Sequence, residues 1–125
     1  VTRPTLTITH DVRRSDIQVL TVSGELDHFT SPQLTAVLDD LPFTPGGGVI
    51  LDLSPLLYCD STGISVFLTA HQRAESANCP LLLAAATPDL RHLFEVVGLD
   101  RILNFTPTVD EALTHLTPES DSHAC

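Results

Sequence analysis

Asp60-Ser61-Thr62-Gly63 is the stretch of this sequence best equipped for chemistry. It lies after a buried strand and at the start of an amphipathic helix. A hydroxyl at such a junction sees the exposed N–H groups and the positive end of the helix, which together accommodate a phosphate. In open α/β sheets the crevice beyond the carboxyl ends of the strands is also where function tends to sit. Asp60 or Ser61 can equally be a plain helix N-cap, accepting a hydrogen bond from the first free N–H groups. The residues alone leave both readings open.

Other chemistries fit less well. An aspartic protease needs Asp-Ser/Thr-Gly, and here Thr62 intervenes between Ser61 and Gly63. A serine nucleophile elbow needs Gly-x-Ser-x-Gly with a later acid and base, but Cys59 stands at the first glycine and no histidine is placed by spacing as the base. Gly46-Gly47-Gly48 precedes a strand and the chain has no lysine, so it is a flexible connection and not a phosphate-binding loop. His10, His28, His71, His92, His115 and His123 show no ligand spacing, so neither a metal nor a cofactor is expected. His71 falls on an apolar helix face, where a satisfied, partly buried histidine is expected. Asp39-Asp40 and Asp110-Glu111 sit at a helix end and a helix start, where solvation and the helix dipole account for them. Cys59, Cys79 and Cys125 form no C-x-x-C pair. The first two read as small buried apolar residues.

The elements that must position Ser61 follow from the pattern. Residues 5–10 and 17–23 read as two strands joined by a turn over Asp11 to Asp16, with Gly24 ending the second. Thr30-Ser31-Pro32-Gln33 reads as a capping box for a helix bearing Leu34, Val37, Leu38 and Leu41. Pro42 to Gly48 is a loop, and Val49 to Leu53 a strand buried on both faces. A second helix carries Ile64, Phe67, Leu68 and His71 and ends near Asn78-Cys79-Pro80. Leu81 to Ala86 is a strand. Thr87-Pro88-Asp89 opens a third helix stopped by Gly98, Ile102 to Phe105 is a last strand, and Thr108 to Glu111 caps a fourth helix. The order ββαβαβαβα predicts a single α/β domain over 1–116, with a mixed, mostly parallel sheet of about five strands and four helices. Residues 117–125 are polar and expected to be disordered.

Composition narrows the partners. The 125 residues carry 16 acids against 6 bases, a formal net charge of −10. All the bases are arginines and none clusters beyond a pair, which argues against nucleic acid, whose binding rests on rows of cations. The longest uninterrupted apolar run, Leu81 to Ala86, falls far short of the roughly 20 residues a spanning helix needs, so no membrane segment is expected. The chain opens without a signal-peptide pattern, and a cytoplasmic location is expected.

With these residues placed, the sequence resembles the STAS domain of bacterial anti-sigma factor antagonists. Four stretches carry the resemblance: Gly24-Glu25-Leu26-Asp27 followed by Thr30; Asp52-Leu53-Ser54 leading to Asp60-Ser61-Thr62-Gly63; Thr87-Pro88; and Leu93-Phe94-Glu95-Val96-Val97-Gly98-Leu99. The resemblance implies a non-enzymatic, partner-switching regulator of transcription. The unphosphorylated form would bind an anti-sigma factor, itself a serine kinase with a histidine-kinase-like ATPase fold, and so free a sigma factor, as in stress responses. Phosphorylation of Ser61, or in second place Thr62, would break the complex, and a phosphoserine phosphatase would restore it. Asp27, Thr30, Asp60, Ser61, Thr62, Gly63 and Ile64 would form the binding surface of a monomer or weak dimer. Cys59 departs from the family pattern, which usually has a larger apolar residue there. The alternative is a STAS-type scaffold or sensory module of a stress-signalling assembly, binding a protein or nucleotide ligand.

Overall fold

The computed structural model describes residues 5–14 and 16–116. The expected tail 117–125, with His123 and Cys125, lies outside the described residues. The elements are β1 (Leu6–Arg13), β2 (Ile17–Leu26), α1 (Ser31–Asp40), β3 (Gly48–Asp52), β4 (Leu56–Cys59), α2 (Ser61–Ser76), β5 (Leu81–Ala84), α3 (Pro88–Val96), a 3-10 turn (Leu99–Arg101), β6 (Asn104–Thr106) and α4 (Val109–Leu116). The main sheet runs β1-β2-β3-β5-β6, with β4 pairing the far end of β2. β1 is antiparallel to β2, and every other pairing is parallel. This is the expected α/β architecture with one further short strand, β4.

Strand alternation decides which helix goes where. Leu20 and Val22 of β2, Val49 and Leu51 of β3, and Leu81 and Leu83 of β5 point into a core shared with Leu34, Phe67 and Phe94, so α1, α2 and α3 cover that face. Ile17, Val19, Ile50, Leu82 and Ala84 point the other way, against Ala112 and Leu113 of α4. Strands sealed on both faces read as continuous apolar runs, and β3 and β5 do so.

Several boundaries differ from the sequence expectation for local reasons. β1 extends through Asp11, Val12 and Arg13, which pair with Val19, Gln18 and Ile17, so these three residues belong to the hairpin's strand and not to its turn. β1 is an edge strand exposed over most of its length, and charges there do not stop pairing. β2 does not end at Gly24. It continues to Leu26 because glycine takes φ +105 where a Cβ would run into the Thr5 carbonyl oxygen. β5 stops at Ala84 because Ala85 turns left-handed, at φ 61, and donates to Thr106 O at 3.0 Å. α2 ends where Asn78 adopts φ 54 and the Cys79 N–H donates to Ala74 O at 2.9 Å. Thr87 and Thr108 cap α3 and α4, accepting from Leu90 N at 3.2 Å and Glu111 N at 3.0 Å.

Candidate functional site

β2 and β4 end side by side: Leu26 pairs with Cys59, and Asp60 N donates to Leu26 O at 3.1 Å. Asp27 and Asp60 are thereby brought together, one step beyond the carboxyl ends of adjacent parallel strands. Between Gly24 and Glu25 the register shifts, so that β4 advances from Leu56 to Tyr58 while β2 advances by one residue. Leu57 is the extra residue of this bulge, and such irregularities re-aim side chains beside functional sites.

Asp60 is the N-cap of α2. Its Oδ1 accepts from Thr62 N at 2.9 Å and Gly63 N at 3.1 Å, and its carbonyl oxygen accepts from Ile64 N at 3.0 Å. A cap of this kind stabilises by about 1 kcal/mol. The carboxylate takes these two N–H groups but not that of Ser61. Ser61, the first residue of the helix, is exposed, whereas Thr62 is half-buried and lines a cleft of about 300 Å³ between α1 and α2. Gly63 is needed for close approach: a Cβ there would stand 2.7 Å from both Cys59 Sγ and Leu26 Cγ.

The neighbouring turn is wired differently from the expected capping box. Asp27 Oδ1 accepts from Phe29 N at 2.9 Å and Thr30 N at 3.0 Å. Thr30 Oγ1 points backward, accepting from Asp27 N at 2.9 Å and donating to Glu25 O at 2.8 Å, and makes no cap bond to α1. Gln33 does not close the box either; its Nε2 donates to Leu6 O on β1 at 2.8 Å. Thr30 starts the helix through its carbonyl oxygen, which accepts from Gln33 N at 2.9 Å, while its hydroxyl locks the preceding turn; the box fails because that hydroxyl is taken by Asp27 and Glu25 and the Gln33 side chain by β1.

Of the residues assigned to a binding surface, Asp27, Asp60 and Thr62 are half-buried and Ser61 is exposed. Thr30 is buried, as are Gly63 and Ile64, which seat the N-terminus of α2 on the sheet. The side chains of Thr30 and Ile64 shape the surface from beneath and are covered by the fold itself. Sequence reasoning passed over three exposed apolar side chains here: Phe29 in the Asp27 turn, and Leu57 and Tyr58 on β4. Among the described residues no group of three or more His, Cys, Asp or Glu is placed to hold a metal ion.

Cys59 and Cys79 are both buried free thiols, as expected. Burial, with the Asp60 carboxylate beside it, pushes the Cys59 thiol from 9.0 up to about 12. At pH 8 only about one such thiol in ten thousand is ionised. Iodoacetamide is therefore expected to leave Cys59 intact in the native protein and to label it in urea, as peptide mapping would report. Native labelling at pH 8 would mean that the turn opens. The raised value also fixes a sign. The folded state keeps the proton between the unfolded and folded pKa, so this contribution to stability is complete below about pH 9 and is lost as pH rises toward 12.

A family model described as the STAS domain matches residues 9–112. An anti-sigma-B factor antagonist of Listeria monocytogenes is 33% identical over 82 residues, which span 66% of this chain and 72% of that protein. An anti-sigma factor antagonist from Mycobacterium paratuberculosis superposes with a TM-score of 0.78 at 26% identity, covering 91% of this chain and 96% of that one. SpoIIAA of Bacillus has the same fold. Its unphosphorylated form aligns at a TM-score of 0.72 with 23% identity over 88% of this chain and 96% of its own, and its phosphorylated form at 0.67 with 22% identity over 88% and 99%. No helix among the described residues is long and apolar enough to cross a membrane.

Proposed function

The chain belongs to the STAS domain family, and we propose that within it this protein is an anti-sigma factor antagonist, a binding module switched off by phosphorylation of Ser61. The observation that carries the reading is the exposed Ser61 hydroxyl, on the first residue of α2 and beside the Asp60 carboxylate, at the carboxyl end of the sheet. Ser61 needs no base of its own in this scheme. The partner is the kinase, and it supplies ATP, magnesium and positioning. Thr62 is the poorer acceptor because it is half-buried and lines the α1–α2 cleft.

A phosphate adds about −1.5 to −2 charge. It arrives beside Asp60 and near Asp27, on a chain of formal net charge −10. Within this protein the N-terminus of α2, including the Ser61 N–H that Asp60 leaves free of its carboxylate, makes the charge tolerable. In a complex the same charge is pressed against a surface built for the neutral hydroxyl. The fold survives and the complex does not. SpoIIAA, solved with and without phosphate, holds this fold in both forms.

The test is intact mass spectrometry with peptide mapping, after incubating the protein and a Ser61→Ala control with ATP, magnesium and each purified anti-sigma kinase of the source genome. One phosphate on Ser61, absent from the control and accompanied by loss of the complex on a sizing column, is the expected result. Binding by none of the candidates would sink the reading.

A further inference from the structure

We infer that the groove between β4 and α3 seats an apolar segment of the anti-sigma factor that is flanked by basic residues, an inference that rests on the function proposed above. The groove has a volume of about 500 Å³. Its floor is apolar, from Leu56, Leu90 and Leu93, and Leu57 and Tyr58 stand at its rim. Leu57 is 81% and Tyr58 54% exposed, although both sit in a strand. The β4 bulge turns Leu57 outward, and two adjacent apolar side chains left in water beside a hydrophobic groove mark a surface that something else covers. Aromatic anchors over such pockets carry a disproportionate share of binding energy.

Charge identifies the occupant. Asp89 is the single charged residue lining the groove. Glu25 pairs across the strand with Tyr58, and Asp60 follows Cys59 directly, so acids fringe the rim. A second copy of this chain is the poorer occupant, because a symmetric contact would bring these acids against one another on two chains each of net charge −10. A partner offering apolar side chains between arginines or lysines satisfies both the floor and the rim. Position supplies the link to the switch. Cys59 lines the groove and is two residues from Ser61, so a segment seated there passes beside the phosphoacceptor. The groove then provides affinity that does not depend on Ser61, and the serine provides the veto.

Binding of the full-length chain to each purified anti-sigma kinase, by isothermal titration, tests this. Leu57→Ser and Tyr58→Ser are each expected to weaken binding at least about tenfold, and Asp89→Lys several-fold, with melting temperatures close to wild type. Val12→Ser, an exposed apolar residue on the edge strand β1, is the control and should bind as wild type. Wild-type affinity in Leu57→Ser and Tyr58→Ser would overturn the groove while leaving the function standing. Loss of a wild-type self-association in those variants, seen by analytical ultracentrifugation, would assign the face to a second copy and overturn it too. If the wild-type chain binds no anti-sigma factor, the function fails and the groove falls with it.

Discussion

Replacing Ser61 by aspartate is expected to weaken binding to the anti-sigma factor by about 100-fold or more while moving the melting temperature by less than about 2 °C. The two halves of that result have separate causes. Like charges brought together in an interface cost several kcal/mol, and each 1.4 kcal/mol is about tenfold in affinity. The new carboxylate would stand beside Asp60, whose own charge is already spent on the helix N–H groups of Thr62 and Gly63 and cannot turn away. Inside the free protein the same aspartate occupies the first turn of a helix, where an acid is favoured by a few tenths of a kcal/mol. Titration calorimetry gives the first quantity and a thermal melt the second. A variant that loses binding together with several degrees of stability would point to damaged folding and not to a switch.

Phe67→Ala should show the opposite separation. Phe67 is fully buried on the inner face of α2, its ring centroid 5.9 Å from that of Phe94, which in turn lies 5.1 Å from Phe105. Truncating a buried aromatic removes its transfer energy and leaves a cavity, at a cost of about 3–5 kcal/mol. For a domain whose whole stability is of order 5–15 kcal/mol, that is about a fifth or more, and it corresponds to a drop in Tm of roughly 10–25 °C. Urea denaturation would measure the loss, and a change below about 1 kcal/mol would show that the core repacks around the gap. The portion that stays folded at low temperature should still bind and still be phosphorylated, because Phe67 lies beneath the site and touches no partner.

The apolar runs and periodicities made most of the scaffold legible. Val49 to Leu53 and Leu81 to Ala86 could be placed, the second two residues too long, because both faces of those strands are covered, and the helices because their buried positions recur every three or four residues. β4 was not legible. Leu56-Leu57-Tyr58-Cys59 is too short for a period to register, and its pattern of buried, exposed, exposed, buried breaks the alternation of a strand and mimics helical spacing, because a bulge interrupts it. The signal present was an apolar tetrapeptide between Pro55 and the Asp60 cap. Asp60 and Ser61 were legible because a cap and a first-turn hydroxyl are local. The wiring of Thr30 was not. Its hydroxyl is captured by Asp27 and Glu25, in a local turn that competes with the cap, and Gln33 reaches a strand 27 residues away, a partner that only the tertiary fold presents.

The placing of β4 also sets how the switch region breathes. β3 and β5 are hydrogen-bonded on both sides and sealed by helices on both faces, so their amides exchange with solvent only when the whole domain opens. β4 has one strand neighbour, β2, and turns Leu57 and Tyr58 to water. Its other two side chains, Leu56 and Cys59, are buried in the core, so it is held along one edge and by one face only. The strand that delivers Ser61 is thus anchored more lightly than β3 and β5, and a kinase that must draw a serine into its active site meets it on a segment that yields before the centre of the sheet does.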